Sequence, residues 1–302
     1  MSWLLLSFTG PVLWAISTHF DKYLVARYFQ ISNVGTLLIF TACTSAAILP
    51  VIWFFHREVT DIDAKSTLLM MAAGALYMGA MLFYLKALQQ EDASLVAVFF
   101  QAGPLFGYVL AYAVLGERLS QTQMAGGLLT ICGVVVSSIQ PQAIGRKFKI
   151  RFAVLMLICS LALAVSALMF KFVAIRDTFW PSVFWMYAGE ASFGLLLLGV
   201  RSDRQRFFGL IKSNPAFVIS INAFNELINL VGTIATRFAL TLAPLSLVQA
   251  IGGTTTLFVF AFGILLTVFF PNIEREDIGA RALMQKGIAA ALVALGVGLI
   301  GT

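Results

Sequence analysis

The chain has 302 residues, of which 60% are hydrophobic and 11% are charged, whereas soluble domains carry about 25% charged residues. This composition excludes an ordinary soluble protein and predicts an all-α integral membrane protein. The formal net charge of +6 does not indicate a nucleic-acid partner, because the basic residues lie in connections between apolar segments and not on one face of a soluble module.

Ten apolar segments are long enough to cross a bilayer, since a helix needs about 20 residues to span a hydrocarbon core about 30 Å thick. Continuous runs favour helices, because the strands of a membrane barrel alternate over about ten residues. The first segment lacks a basic leader and a small-residue cleavage site, so we interpret it as a retained helix. The ten predicted spans, five in each half, lie near 3–20, 33–55, 66–88, 93–115, 121–139, 151–175, 180–200, 214–239, 245–270 and 285–301.

The first predicted helix carries a short polar arc. Trp14, Ser17, Thr18 and Asp21 fall on one side of it, with Lys22 at the margin, because successive residues of a helix are about 100° apart. We predict that Trp14 and Asp21 line a substrate cavity. The alternative is that Asp21 and Lys22 lie at the end of the helix, where water solvates both.

Helices 3 and 4 supply aromatic and amide candidates for the same cavity. Tyr77 and Tyr84 are seven residues apart and share a face, although aromatic side chains at this depth also serve as core. In helix 4, Gln101 lies three residues before Pro104, which removes one backbone hydrogen bond and frees the carbonyl of Phe100. This pattern suits a gate or a binding site, and it equally suits packing.

Two carboxylates lie deep in the second half, Glu190 in helix 7 and Glu226 in helix 8. A charge within the membrane is costly and is therefore a functional candidate by default. We rank Glu226, Glu190 and Asp21, in that order, as candidates for proton coupling. Their candidate basic partners are Lys171, Lys22, Lys86 and Arg237. These basic residues lie near helix ends, so the simpler expectation is that they extend to the membrane surface.

Helix 8 has the longest polar stripe of the chain. At about 100° per residue its polar side chains fall within an arc of roughly 100°. They are Asn222, Asn225, Glu226, Asn229, Thr233 and Thr236. Amides and a carboxylate that faced lipid would lack partners, so the stripe must face protein or water. We predict that Asn222, Asn225, Glu226 and Asn229 line the substrate cavity; the alternative is that the amides only hold helices together.

The chain is an internal duplication. The segment from Ser94 to Val136 recurs in degenerate form from Ser246, 152 residues later, with eleven extra residues in the loop 271–286. A repeat of this length is too long for a solenoid and suits two domain-sized halves.

In the second copy, Gln249 precedes a run of two glycines and three threonines at 252–256. Glycines permit either close helix packing or local unwinding of the helix. Gln249 is therefore the substrate-binding candidate from helix 9.

Several motifs of the first half resemble the EamA repeat of the drug/metabolite transporter superfamily. They are Trp14 followed by Lys22, the proline-containing helix 4, the turn Leu115-Gly116-Glu117-Arg118-Leu119, Gly126, and Gly133-Val134. The resemblance is strong in helices 1 and 3 to 5 and weaker in helices 6 to 10. The second copy departs from it, because Thr256 replaces Pro104 and the Gly-Glu-Arg turn is absent.

The resemblance implies a secondary active transporter that exports a small organic metabolite, an amino acid or a drug, and a location in the bacterial cytoplasmic (inner) membrane. Its partners would be a small-molecule substrate and membrane lipids, with protons and the oligomeric state left open. Five helices per repeat place the second repeat in the membrane upside down, as in many alternating-access transporters. We therefore expect repeat 1 at 1–140, a basic linker loop at 141–150 and repeat 2 at 151–302.

The loop charges leave the orientation open. Loops after odd-numbered helices hold about 14 of the 20 Lys and Arg residues, which by the positive-inside rule would place both termini outside. The resemblance instead implies cytoplasmic termini.

No motif for a metal, a phosphate loop or another cofactor is present in the sequence. We interpret Cys43, Cys132 and Cys159 as small core residues, and His19 and His56 are too few for a metal cluster.

Three other functions are weighed against export. The first is transport of a lipid or nucleotide-sugar-like phosphorylated substrate, with Lys22, Lys171 and Arg237 neutralising phosphate. An intramembrane enzyme is disfavoured, because Ser17 and His19 are about 200° apart on their helix, and we predict no enzymatic activity. A structural or sensory membrane protein is disfavoured because no soluble domain is predicted to carry a signal.

Overall fold

The computed structural model describes residues 2–27, 34–88, 99–139, 150–176, 179–213, 216–269 and 279–301. Within these ranges the chain forms α-helices and one 3-10 turn, Arg57–Thr60, and contains no strand. The helices are α1 Ser2–Arg27, α2 Val34–Phe55, α3 Ala64–Leu88, α4 Ala102–Leu115, α5 Gln121–Ser138, α6 Ile150–Ala174, α7 Phe179–Gly199, α8 Arg201–Ser213, α9 Ala216–Leu242, α10 Leu245–Gly252, α11 Thr255–Phe269 and α12 Ala280–Ile300. The predicted all-α class is confirmed.

In the described part of the chain, six helical segments are long and apolar enough to cross a membrane. They are Val34–Phe55, Ala64–Ala87, Phe152–Ala174, Phe179–Gly199, Leu245–Phe269, which includes both α10 and α11, and Ala280–Ile300. The protein is therefore a multi-pass membrane protein. Helices α1, α4, α5 and α9 overlap the other four predicted segments, and their crossing of the bilayer remains a prediction.

Helix α8 was not predicted, since its sequence reads as part of a basic loop. One side of it packs on the start of α2, where Asp203 lies against Gly35 and the rings of Phe207 and Phe40 are 4.8 Å apart. Arg201, Arg204, Arg206 and Lys212 are exposed on the remaining surface. The helix is thus amphipathic, as expected of a segment that lies along a membrane surface.

The two halves of the chain interlock. The closest helix pairs join one half to the other: α1 with α9, α2 with α7, α3 with α6 and α7, α4 with α6 and α10, and α5 with α12. The main hydrophobic core accordingly mixes side chains from both, among them Met70, Phe170, Val183 and Leu245. Each half therefore completes its packing only in the presence of the other.

Glycines bring some of these helix backbones into direct contact. A Cβ atom on Gly74 of α3 would collide with the Met186 carbonyl of α7, and one on Gly189 of α7 would collide with the backbone of Met71. Small residues commonly allow membrane helices to approach this closely. The backbones of α3 and α7 are thus in direct contact where the two helices cross.

The two predicted helices that contain Gln101 and Gly253 are both interrupted. A turn at Gln101 precedes α4, and a turn at Gly253 and Thr254 separates α10 from α11. Gln101 and Gly253 are 152 residues apart, and the side chain of Gln101 fills the space beside Gly253. The two interruptions therefore face each other between the halves. The glycines of predicted helix 9 thus permit both local unwinding and close helix packing, the two alternatives that the sequence left open.

The glycine contact at α3–α7 yields a stability prediction. Gly74→Ala should lower the free energy of unfolding by about 1–3 kcal/mol, because overpacking forces backbones apart. Gly79→Ala on the same helix is the matched control, since a Cβ there meets only Phe193 at 3.8 Å. Thermal unfolding of the detergent-solubilised protein measures both. Equal melting temperatures for the two variants would contradict the proposed backbone contact.

Candidate functional site

A buried ion pair joins α7 to α9. Arg237 Nη2 donates to Glu190 Oε1 at 2.5 Å, and the two residues are only 5% and 2% exposed. Ser45 of α2 donates its hydroxyl to the other carboxylate oxygen of Glu190 at 2.7 Å. Three helices drawn from both halves therefore meet at one carboxylate.

Aromatic rings surround the guanidinium. Its carbon lies 4.5 Å from the ring centre of Tyr187 and 5.8 Å from that of Phe170, which are cation–π distances. Tyr77 lies within electrostatic range of both Glu190 and Arg237. The pair is thus held in a largely aromatic environment.

Two polar atoms of this cluster are left without a hydrogen bond. Arg237 Nη1 and the Tyr187 hydroxyl are buried, and neither has a hydrogen-bond partner in the described part of the structure. Buried polar groups are normally paired, and an exception requires an explanation. These two atoms could bind a polar group of a solute.

The polar stripe of α9 lies on the protein side, as its composition requires. Asn222 and Asn225 are buried, and Glu226 and Asn229 are half-buried. Thr41 of α2 donates to Glu226 Oε1 across 3.4 Å. The stripe therefore runs along the same helix as Arg237, beside α2.

The other predicted binding residues are distributed over several places. Trp14 packs on Gly232 of α9, and Tyr77 belongs to the Glu190–Arg237 surroundings. Tyr84 instead packs on Phe100, with ring centres 5.3 Å apart, in a separate apolar cluster. Tyr77 and Tyr84 thus do not form one aromatic wall.

The two glutamines lie at the contact between the interrupted helices. Gln101 fills the space beside Gly253, and Gln249 fills the space beside Gly107. The Oε1 atom of each is buried without a hydrogen-bond partner among the described residues. Asp21 lies in α1, but its side chain is outside the part of the structure that is described.

A second charged cluster ties the first half to the second at another position. Lys171 of α6 contacts both Glu117 and the carbonyl oxygen of Ala243, and Glu117 Oε2 accepts from the amide of Leu245, the first residue of α10, at 3.0 Å. Gly116 has φ +68°, a conformation that glycine adopts without strain. The Gly-Glu turn therefore places a carboxylate where it joins three segments.

Two expectations about these residues were wrong. Arg237 and Lys171 were expected to extend to the membrane surface, yet each is only 5% exposed. Arg237 pairs instead with Glu190 of a neighbouring helix, and Lys171 pairs with Glu117 of the turn between α4 and α5. The cysteines were expected in the core, but Cys43 and Cys132 are exposed and only Cys159 is buried. A thiol is apolar enough to face lipid, so its position in an apolar span does not determine its burial.

Sequence reasoning also missed Ser45, Tyr187 and Thr41. Each is a single polar residue in an apolar run, and nothing in its spacing distinguishes it from a packing residue. Within the described residues no group of three or more His, Cys, Asp or Glu side chains could hold a metal.

The first part of the chain resembles a known protein family. Residues 1–139 match the model of the EamA-like transporter family. The resemblance of this part of the chain to the drug/metabolite transporter superfamily is thereby confirmed, and the match indicates a membrane transporter.

The fold of the whole chain has a counterpart among solved structures. One structure, described only as "Crystal structure of protein", superposes with a TM-score of 0.72 over 99% of this chain and 96% of its own, at 16% sequence identity. At this identity the likeness shows a shared fold alone. No relative among curated proteins matches the chain.

The buried ion pair gives a double-mutant prediction. Glu190→Gln and Arg237→Gln should each destabilise the protein by about 3–5 kcal/mol, because each leaves the other charge buried without its partner. The double variant should lose less than the sum of the two, since it leaves no uncompensated charge. Thermal unfolding in detergent measures all three, with Lys86→Gln, an exposed lysine of α3, as the control. Additive losses would show that the two side chains act independently.

Proposed function

We propose that this protein is a secondary active transporter of the bacterial cytoplasmic (inner) membrane that exports a small organic solute, such as a metabolite, an amino acid or a drug. The ten helices would form two inverted five-helix repeats, 1–140 and 151–302, joined by the basic loop 141–150. The observation that carries the proposal is the buried Glu190–Arg237 pair with its unsatisfied Nη1 and Tyr187 hydroxyl, in a chain whose first half matches a transporter family.

The helix packing suggests which groups of helices move relative to each other during transport. Helices α1, α9 and α11 form one group and helices α3, α4 and α6 form another, and each group combines helices of both repeats. The repeats themselves interlock, so they cannot separate as rigid halves. Alternating access in this protein would therefore rock these two mixed groups about the contacts of α4 with α10 and of α5 with α12.

The charges of the cluster favour a solute with little net charge. Export of a lipid or nucleotide-sugar-like phosphorylated substrate would use Arg237, Lys171 and Lys22. Arg237 and Lys171, however, are already neutralised by Glu190 and Glu117. A phosphate would have to displace a carboxylate from its partner, which makes this alternative weaker.

The ion pair between Glu190 and Arg237 also bears on which carboxylate could carry a proton. Glu190 holds Arg237 in a buried position, and removing the charge of Glu190 would leave that guanidinium uncompensated. Glu226 is half-buried and accepts a hydrogen bond from the hydroxyl of Thr41. Glu226 keeps the first place that its position in the polar stripe gives it, and Asp21 remains a candidate on sequence alone.

The α9 stripe is tested by solute flux. Glu226→Gln and Asn225→Ala should each lower flux in reconstituted vesicles by about tenfold or more, since losing one contact worth about 1.4 kcal/mol has that effect. The substrate is first found by a thermal-shift screen of the purified protein against amino acids, nucleosides, lipid head groups and cationic dyes. Glu58→Gln, in the exposed 3-10 turn, is the control and should transport normally. Normal flux in both α9 variants would remove the stripe from the transport path.

Proton coupling is tested separately. An imposed pH gradient should change the steady-state accumulation of the solute, and the residual flux of Glu226→Gln should no longer respond to pH. The gradient is imposed by diluting vesicles into buffer of another pH and is checked with an internal fluorescent pH indicator. Flux that ignores the gradient in the unaltered protein would exclude proton coupling.

A further inference from the structure

The α2–α9 crossing lacks the close contact that its counterpart has. Helices α3 and α9 correspond under the 152-residue repeat, so that Gly74 corresponds to Glu226. Gly74 and Gly189 bring α3 and α7 together at the backbone, whereas α2 and α9 meet at few places. One of these is the long hydrogen bond from Thr41 to Glu226.

An open groove lies between α2 and α9 as a result. Its first part has a volume of about 290 Å³, and its walls include Phe40, Cys43, Thr44, Asn222, Ala223 and Leu227. A second part of about 280 Å³ follows along the same two helices and includes Val51, Phe55, Trp180 and Ile234. The groove therefore follows one face of α2 over most of its length.

The groove opens on the outer surface of the described helices. Cys43, Ala223 and Leu227 on its walls are exposed, and exposed side chains of membrane-spanning helices contact lipid or a water-filled path. Among the described residues that line the first part none is charged. An apolar outer surface of this kind admits molecules that dissolve in the bilayer.

One amide side chain lies at the groove. Asn222 is only 8% exposed and lines the first part of the groove. Its side chain offers both a hydrogen-bond donor and an acceptor on a wall that is otherwise mostly apolar. Glu226 follows Asn222 by one helical turn and faces the same side of α9.

We propose that the α2–α9 groove is a lateral opening through which an uncharged amphipathic solute passes from the bilayer to the polar stripe of α9. The apolar part of the solute lies between the two helices, and its hydrogen-bonding head meets Asn222. This inference rests on the proposed transport function, for which it names the access route and the substrate class. Helices α3 and α7, closed by glycine contacts, offer no such route in this conformation.

Native cysteines allow occupancy of the groove to be measured without a transport assay. Cys43 lines the groove, and Cys132 is an exposed cysteine of α5 that serves as the internal reference. N-phenylmaleimide, which dissolves in the bilayer, is allowed to react with the protein in vesicles, and mass spectrometry follows each site. The probes are indole and naphthalene, which are similar in size but differ in one N–H donor.

Indole at three times its Kd should slow modification of Cys43 about fourfold, because only the empty groove reacts. Modification of Cys132 should stay unchanged, naphthalene should protect Cys43 less, and Asn222→Ala should remove the difference between the two probes. Equal slowing at both cysteines, equal protection by both probes, or no protection by indole would each overturn the proposal.

A disulfide across the groove tests whether transport requires the opening. Ala223→Cys places a second thiol on the wall that faces Cys43, and oxidation should close the opening, as checked by mass spectrometry after proteolysis. Uptake of a bilayer-soluble substrate should fall to the level of protein-free vesicles and return on reduction, whereas the unaltered protein, which has Cys43 but no thiol at position 223, should transport equally before and after the same oxidation.

The two hypotheses fail in different ways. Flux that continues with the disulfide formed, while Glu226→Gln still abolishes it, would overturn the lateral opening and leave the transport function standing. Protection of Cys43 by indole, with no flux of any solute that the thermal-shift screen identifies, would overturn the transport function and leave the binding groove standing.

Discussion

A charge inside a membrane protein is stable only beside its counter-charge, and the Glu190–Arg237 pair imposes this condition on three helices. It places α7 against α9, and through Ser45 it adds α2 to the same point. Because breaking such a pair leaves a buried charge uncompensated, the rotation of α9 about its own axis is restricted. The polar stripe from Asn222 to Asn229 is thereby held on the protein side of that helix.

The helix frame and the polar residues have separate roles. Helix packing joins elements that the proposed repeat makes equivalent, as in α5 with α12 and α4 with α10. The charged and amide side chains have no such counterparts, since Gly74 occupies the place of Glu226. Where glycines occur, backbones touch and the crossing is closed; where Glu226 occurs, the helices stay apart and a groove remains. The asymmetry of the sequence thus becomes an asymmetry of access.

Helix positions and the protein-facing side of α9 could be predicted from the sequence, because both follow from local hydrophobicity and from a period of 3.6 residues. Arg237 could be named as one of four candidate partners of Glu190, but the sequence could not select it, since the choice depends on which helices become neighbours and at which height. The same reason explains the error for Arg237 and Lys171, whose positions near helix ends allowed two outcomes and whose carboxylate partners lie far away in the chain. The exposed positions of Cys43 and Cys132 were equally hidden, because a thiol is compatible with the core and with an exposed surface.

The sequence by itself determined that this chain is an all-helical membrane protein, that residues 1–139 resemble the EamA-like transporter family, and that α9 must turn a polar stripe away from lipid. These properties depend on composition, on motifs and on the free energy of transferring each side chain into hydrocarbon, which are local. Only the tertiary structure decided that the halves interlock, that Arg237 is buried beside Glu190, and that α2 and α9 leave a groove between them. Those features depend on contacts between residues distant in the chain, and such contacts form only when all the helices are packed together.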